Sequence, residues 1–221
     1  MSVDTTGPSA ARRLPESHRK RHALGLGVAV CVLVITAVPL DRPVAAWERN
    51  LFHAINALPS WLFVPVWVVM QAGNLFTVLG ASALAFIAGR RRQALDVAVA
   101  GVSAWMLAKV VKELAGRARP ADILGEVILR GGAAEGNGFV SGHAAVAAAL
   151  AAALTSYLSR RWKIVVWVTA ALVGFGRIFV GAHLPLDVFG GLAMGWAIGS
   201  IVHVFLGEPG SREDKSSDAT A

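Results

Sequence analysis

An all-α membrane protein is the fold class this sequence predicts, and three observations predict it. Of the 221 residues 55% are hydrophobic and only 16% charged, where a soluble domain carries about 25% charged residues. Mean hydropathy is +0.58. The apolar residues come in long blocks rather than amphipathic stripes, which points to lipid as the solvent, and in lipid a helix satisfies its own backbone. The length suits one domain, without internal repeats or a dividing linker.

Residues 1–22 are polar, with Pro8, Pro15 and a basic cluster at Arg19, Lys20 and Arg21. They predict a disordered cytoplasmic tail, and residues 207–221 a second one. Between them, 23–206 predicts one membrane domain of six spans, roughly 23–40, 74–89, 93–114, 142–159, 162–181 and 185–206. Each is near the ~20 residues a helix needs to cross the hydrocarbon core. Val44, Ala45 and Ala46 resemble a signal-peptide cleavage site. The apolar core from Ala23 to Leu40 is longer than an ordinary signal core, however, so a retained anchor is expected. Residues 41–73 hold Asp41, Arg42, Glu48 and Arg49 with Trp47 and Trp61, a composition for one or two short interfacial helices. The stretch 61–73 alternatively extends the second span, with a kink near Pro65 or Gly73. Cys31, the single cysteine, excludes an intramolecular disulfide and is expected to face lipid or fill a packing gap.

Charge sets the expected orientation. With the N-terminus in the cytoplasm, the cytoplasmic segments contain Arg12, Arg13, Arg19, Lys20, Arg21, Arg90, Arg91, Arg92, Arg160, Arg161, Lys163, Arg212 and Lys215, which is the positive-inside pattern. The net charge of +7 is thereby accounted for, and nucleic acid is not needed as a partner. Both termini are then cytoplasmic. The basic residues on the other side, Lys112, Arg117, Arg119, Arg130 and Arg177, run against that pattern. Ionisable groups near membrane depth are functional candidates because their burial is costly.

Apart from Arg130, these exceptions fall in two of three polar islands, and all three islands lie on the extracytoplasmic face. KELAGRARP (112–120) ends the third span, VSGHA (140–144) opens the fourth, and RIFVGAHLPLD (177–187) joins the fifth to the sixth. Lys112, Arg119 and Arg177 form a cation set suited to a tetrahedral oxyanion. Ser141 is placed as an N-cap. The N–H groups of Gly142 and His143 then face outward from a helix start, where anions bind. Pro185 fits the first turn of the last helix, putting Asp187 within reach of His183. A carboxylate there holds an imidazole in one tautomer and stabilises its cation. Two histidines allow His183 to attack phosphorus while His143 protonates the departing oxygen and later activates water.

Together the islands resemble the signature of the type 2 phosphatidic acid phosphatase superfamily, the membrane lipid phosphate phosphatases. Lys112 with Arg119 and Pro120 matches its first motif; Ser141, Gly142 and His143 match the second, with Val140 in place of proline. Arg177, His183 and Asp187 match the third, with Gly176 in place of serine. The resemblance covers about residues 40–206. It implies six helices around an acid-phosphatase/haloperoxidase-like core, and metal-independent hydrolysis of a lipid phosphate or diphosphate through a phosphohistidine. Polyprenyl diphosphate, phosphatidic acid and phosphatidylglycerol phosphate are all open as substrates. It also implies phosphate-binding roles for Lys112, Arg119, Ser141, Gly142 and Arg177, and catalytic roles for His183, His143 and Asp187. No cofactor and no metal are expected, and the cell membrane is the expected location.

Rival readings are a lipid phosphotransferase using the same residues, a vanadate-dependent haloperoxidase, a zinc hydrolase, and a non-enzymatic transporter or binding protein whose polar groups line a pathway. Arg117 reads as a surface charge, and Lys109 as an i, i+4 partner of Glu113. The alanine run 144–154 and Gly191, Gly195 and Gly199 read as faces for close helix packing within one chain, with a homodimer contact as the lesser alternative. The glycine-rich connector 121–140 reads as a lid or a slack loop.

Overall fold

The structure, a computed structural model, describes residues 16–38, 43–131 and 136–206. The expected tail 207–221 and most of 1–22 lie outside the described residues. Among the described residues all regular structure is helical: α1 Glu16–Ala37, α2 Ala46–Asn56, α3 Phe63–Met70, α4 Leu75–Ile87, α5 Arg91–Ala115, α6 Pro120–Ile123, α7 Gly142–Thr155, α8 Arg160–Phe179 and α9 Pro185–Leu206. Helix α1 starts at Glu16, inside the segment expected to be a disordered tail. Neither glycine nor proline interrupts Glu16–His22, so the helix continues past its apolar block.

Helix α7 is the centre. Every residue from Ala144 to Ala153 is buried, and α5, α8 and α9 all pack on it, with α1 outside on α9, α4 on α5 and α3 on α8. Alanine at these positions lets backbones approach closely, the usual basis of helix packing in lipid. Outward positions are large and apolar, among them Phe76, Ile87, Leu114 and Phe205, each at least 80% exposed, and Cys31 is exposed as well. Such a surface is at home in a membrane.

Among the described residues, three stretches are long and apolar enough to cross a bilayer alone: Arg91–Ile123, Arg160–Phe179 and Pro185–Phe205. Ala46–Asn56 with Ser60–Gly73 makes a fourth candidate, bent by 80°. The other expected spans correspond to the shorter apolar helices Ala23–Ala37, Leu75–Ile87 and Gly142–Thr155.

Residues 60–87 follow one path along the bundle. Arg130 binds Ser60 Oγ and the Leu58 carbonyl while it also binds Phe179 O, so the chain starts beside the C-terminus of α8. It finishes beside the Arg90–Arg92 turn, where Ser82 Oγ donates to Ala94 O. The stretch 61–73 thus leads into the second span. The break falls at Gln71–Asn74, where Asn74 Oδ1 caps α4 by accepting from Thr77 N at 2.8 Å. Gly73 fits there because a Cβ would come within 2.5 Å of the His143 carbonyl.

Candidate active site

Four helix ends meet at one end of the bundle: the C-termini of α5 and α8 and the N-termini of α7 and α9. Lys112 and Arg177 lie in last turns and Asp187 in a first turn, positions that suit the helix dipoles. Gly116, with φ of +58°, caps α5 in the left-handed conformation and donates to Lys112 O. The chain then reverses, so that Arg117 and Arg119 both point inward, 6% and 9% exposed.

The connector holds two of the cations. Lys112 Nζ donates to Asn137 O at 2.8 Å and lies 3.4 Å from Gly138 O. Arg119 Nε donates to Gly136 O and its Nη1 to Ala182 O, both at 2.8 Å. Farther back, Asn56 clasps the Ile128 backbone with 2.8 Å bonds to both its N–H and its carbonyl, and reaches Phe179 O at 2.9 Å. Arg130 binds the carbonyls of Asn56, Leu58 and Phe179 and stacks its guanidinium over the Phe179 ring. In its described parts the connector is therefore neither slack nor a free lid, because buried side chains satisfy its backbone on both flanks of residues 132–135, which lie outside the described residues.

His183 is 2% exposed and sits in the turn between α8 and α9. Its backbone N–H, like that of Ala182, donates to Arg177 O. The turn requires Gly181: φ is +81°, and a Cβ would meet Ile128 O at 2.8 Å. His183 Nδ1 lies 3.7 Å from Asp187 Oδ2, an ion-pair distance short of a hydrogen bond. Burial first, then the charges of Arg177, Lys112 and Arg119 with His143 beside them, hold the imidazole well below the usual histidine range. The three cations and His143 thus lie within electrostatic reach of His183.

Helix α7 opens at Gly142, so the N–H groups of Gly142 and His143 have no partner within the helix. Ser141 occupies the N-cap position, yet its side chain makes no capping bond. Its N–H donates to Asp187 O at 2.8 Å, while Oγ is buried without a partner, as is Arg177 Nε. Buried donors left unpaired are costly, and a bound tetrahedral anion would engage both.

Two expectations for nearby basic residues are corrected. Arg117 is not a surface charge: Nη1 contacts Asp187 Oδ1 at 2.7 Å and Nη2 contacts Glu48 Oε2 at 2.8 Å. The left-handed Gly116 turns it inward, which residue spacing alone does not reveal. Lys109 does not pair with Glu113; its Nζ lies 3.7 Å from the centroid of the Trp105 ring, a cation–π contact open to a long side chain at the membrane surface. Glu48, 1% exposed, is a site-region residue that the sequence reading left as merely polar. The available signal was its place with Phe52 and Asn56 on one buried face of α2, since an acid and an amide on an otherwise apolar stripe need partners.

The two departures from the motif have local counterparts. At Gly176 a Cβ would lie 2.6 Å from Met70 Cγ and 2.9 Å from Val66 Cγ1, so α3 occupies the space a serine would need. Val140 is fully buried in the core cluster with Phe139 and Ala145.

Comparison with known proteins agrees with this geometry. A family model, that of the PAP2 superfamily, matches residues 93–210. Two proteins named lipid A 1-phosphatase are similar to this chain. The one from Rhizobium etli is 32% identical over 191 residues, covering 69% of this chain and 82% of that protein. The one from Rhizobium johnstonii is 31% identical over 194 residues, covering 71% and 79%. Among solved structures, LpxE of Aquifex aeolicus superposes with a TM-score of 0.67 at 28% identity, covering 72% of this chain and 96% of its own. A transmembrane PAP2 type phosphatidylglycerolphosphate phosphatase from Bacillus subtilis has the same fold, with a TM-score of 0.70 at 22% identity, covering 82% and 95%.

Proposed function

Because the chain belongs to the PAP2 superfamily, and is with it a membrane lipid phosphatase, we propose that the site described above hydrolyses a lipid phosphate through a phosphohistidine formed on His183. The observation that carries this reading is the neutral, buried His183 ringed by Lys112, Arg119 and Arg177, beside two buried donors without partners. Lys112, Arg119 and Arg177, the Ser141 hydroxyl and the N–H of Gly142 hold the three non-bridging oxygens, whose charge they stabilise as the transition state forms.

The geometry suggests the order of events. Asp187 faces Nδ1 of His183, which leaves Nε2 for attack. An N–P bond forms as the P–O bond to the lipid breaks, and His143 gives its proton to the leaving oxygen. Water then loses a proton to His143 and attacks phosphorus, the N–P bond breaks, and inorganic phosphate leaves. Asp187 stabilises the imidazolium that arises whenever His183 carries phosphorus or a proton. No metal takes part in this scheme.

In this reading α1, the path 60–87, α5, α7, α8 and α9 are the six spans. The arginine turn at Arg90–Arg92 then faces the cytoplasm with both termini, and the site faces outward. The names of the Rhizobium relatives make a phosphorylated saccharolipid of the lipid A kind the first substrate to try, with phosphatidylglycerol phosphate, phosphatidic acid and a polyprenyl diphosphate beside it. The test is phosphate release from each of these by purified protein under a chelator. His183→Ala is expected to abolish release and with it any acid-labile phosphoenzyme formed from labelled substrate. Turnover that persists in His183→Ala at the wild-type rate overturns the assignment.

A further inference from the structure

Beyond the groups that face phosphate, a chain of buried charges runs away from the site. Asp187 Oδ1 accepts from Arg117 Nη1 at 2.7 Å, and Arg117 Nη2 donates to Glu48 Oε2 at 2.8 Å. Glu48 Oε1 accepts from Leu186 N at 3.0 Å, and Asp187 Oδ2 from Leu184 N at 2.8 Å. The chain closes on itself: it leaves the first turn of α9 through Asp187, crosses the guanidinium, and returns to that turn through Glu48 of α2. All four carboxylate oxygens have a donor, and the three residues are 1%, 6% and 0% exposed in the order Glu48, Arg117, Asp187.

We propose that Arg117, locked by Glu48, is a positioning residue that aims the Asp187 carboxylate at His183. The proposal rests on the reading of His183 as nucleophile. A carboxylate is free to rotate about its Cβ–Cγ bond unless both oxygens are held. Here Oδ1 is held by the fork of Arg117 and Oδ2 by the Leu184 N–H, which leaves Oδ2 at 3.7 Å from His183 Nδ1. The fork is planar and rigid, so fixing its second tip on Glu48 fixes the first. Space around the pair is closed as well: a Cβ on Gly138 would lie 3.2 Å from Asp187 Oδ2, and the Gly138 N–H donates to Arg117 O.

Two features separate this from a mere staple between α2 and α9. Buried ion pairs stabilise a fold no better than apolar packing of the same volume, so charge is a poor choice for gluing helices together. Both terminal nitrogens of Arg117 also face carboxylates, so its charge is neutralised before it could reach an anion.

The test uses Glu48→Gln, Arg117→Lys and the double variant Glu48→Gln/Arg117→Met, the last in case Arg117→Lys alone does not fold. Each is purified intact, and kcat and KM are measured on a lipid phosphate that the wild type turns over. The tautomer of His183 is read by nitrogen NMR of histidine-labelled protein, its signal assigned by loss in His183→Asn. Glu48→Gln is expected to lower kcat about 10-fold, as disrupted supporting hydrogen bonds commonly do, with KM within about twofold. In an Asp187→Asn background the same change is expected to add less than about twofold, since both act through one carboxylate. The wild-type His183 is expected to carry its proton on Nδ1 and the variants to show a mixture. Wild-type kcat and tautomer in both single variants overturn the proposal, and so do losses that multiply with Asp187→Asn. A wild type inert on every lipid, but with the tautomer change present, overturns the hydrolase reading and leaves the positioning role standing.

Discussion

Gly195→Ala adds one methyl group at the crossing of α7 and α9. Its Cβ would sit 2.1 Å from the Ala145 carbonyl oxygen and 2.8 Å from the Ala149 nitrogen, both backbone atoms that cannot swing aside. Restoring ordinary contact at 3.4 Å moves the helices apart by about 1.3 Å. That displacement is transmitted to the site, because α7 carries Ser141, Gly142 and His143 while α9 carries Asp187. Overpacking of this kind costs about 1–3 kcal/mol, and a catalytic group misplaced by about 1 Å costs on the order of 100-fold in rate. Gly195→Ala is therefore expected to lower the Tm by several degrees and kcat/KM by 10-fold or more, on the order set by these effects. Gly80→Ala is the control: nothing lies within 4 Å of its added methyl, and alanine is the better helix former by up to ~1 kcal/mol. The assays are thermal unfolding in detergent, phosphate release, and size-exclusion chromatography. A Gly195→Ala protein that matches Gly80→Ala in Tm and kcat/KM refutes the packing argument. One that alters only the oligomeric state would instead place these glycines at a seam between copies of the chain.

Three further predictions follow the same logic. If His183 attacks as proposed it must be neutral, and its pKa is lowered by burial and by Arg177, Lys112 and Arg119; the acid limb of the kcat/KM profile is therefore expected below the ordinary histidine range near pH 6.5. Arg177→Met removes one of those charges, so the limb should move to higher pH, whatever happens to the height of the profile; a limb that stays put or moves down contradicts the electrostatic account. Asn56→Ala strips both Asn56 bonds from the Ile128 backbone, a loss of about 1–3 kcal/mol at about 0.5–1.5 net per bond, which should appear as faster amide exchange over 124–130. Gly176→Ser restores the motif residue but puts its Cβ 2.6 Å from Met70 Cγ. It is expected to lower the Tm, and Met70→Ala should relieve it.

What was legible in the sequence is what depends on local chemistry and on solvent. Apolar blocks in lipid become helices wherever they occur, so the all-α class and several helix limits could be read directly; Arg160–Phe179 and Pro185–Leu206 fall within two residues of the expected bounds. The residues of the candidate site were easy to pick out because a site for an anion would draw on few residue types, and Lys112, Arg119, Ser141, His143, Arg177, His183 and Asp187 stand out against an apolar background. The roles of Glu48 and Arg117 were not legible. Glu48 is separated from Arg117 by 69 residues and Arg117 from Asp187 by 70, and no local rule ties charges so far apart. Arg117 and Arg119 also look alike in the chain, two residues apart before a proline. Only the left-handed turn at Gly116 and the packing of α2 against α9 decide that one meets Glu48 and Asp187 while the other donates to the carbonyls of Gly136 and Ala182. Chemistry is a property of the side chain and can be read from its letter; partnership is a property of distance, and distance exists only once the helices have packed.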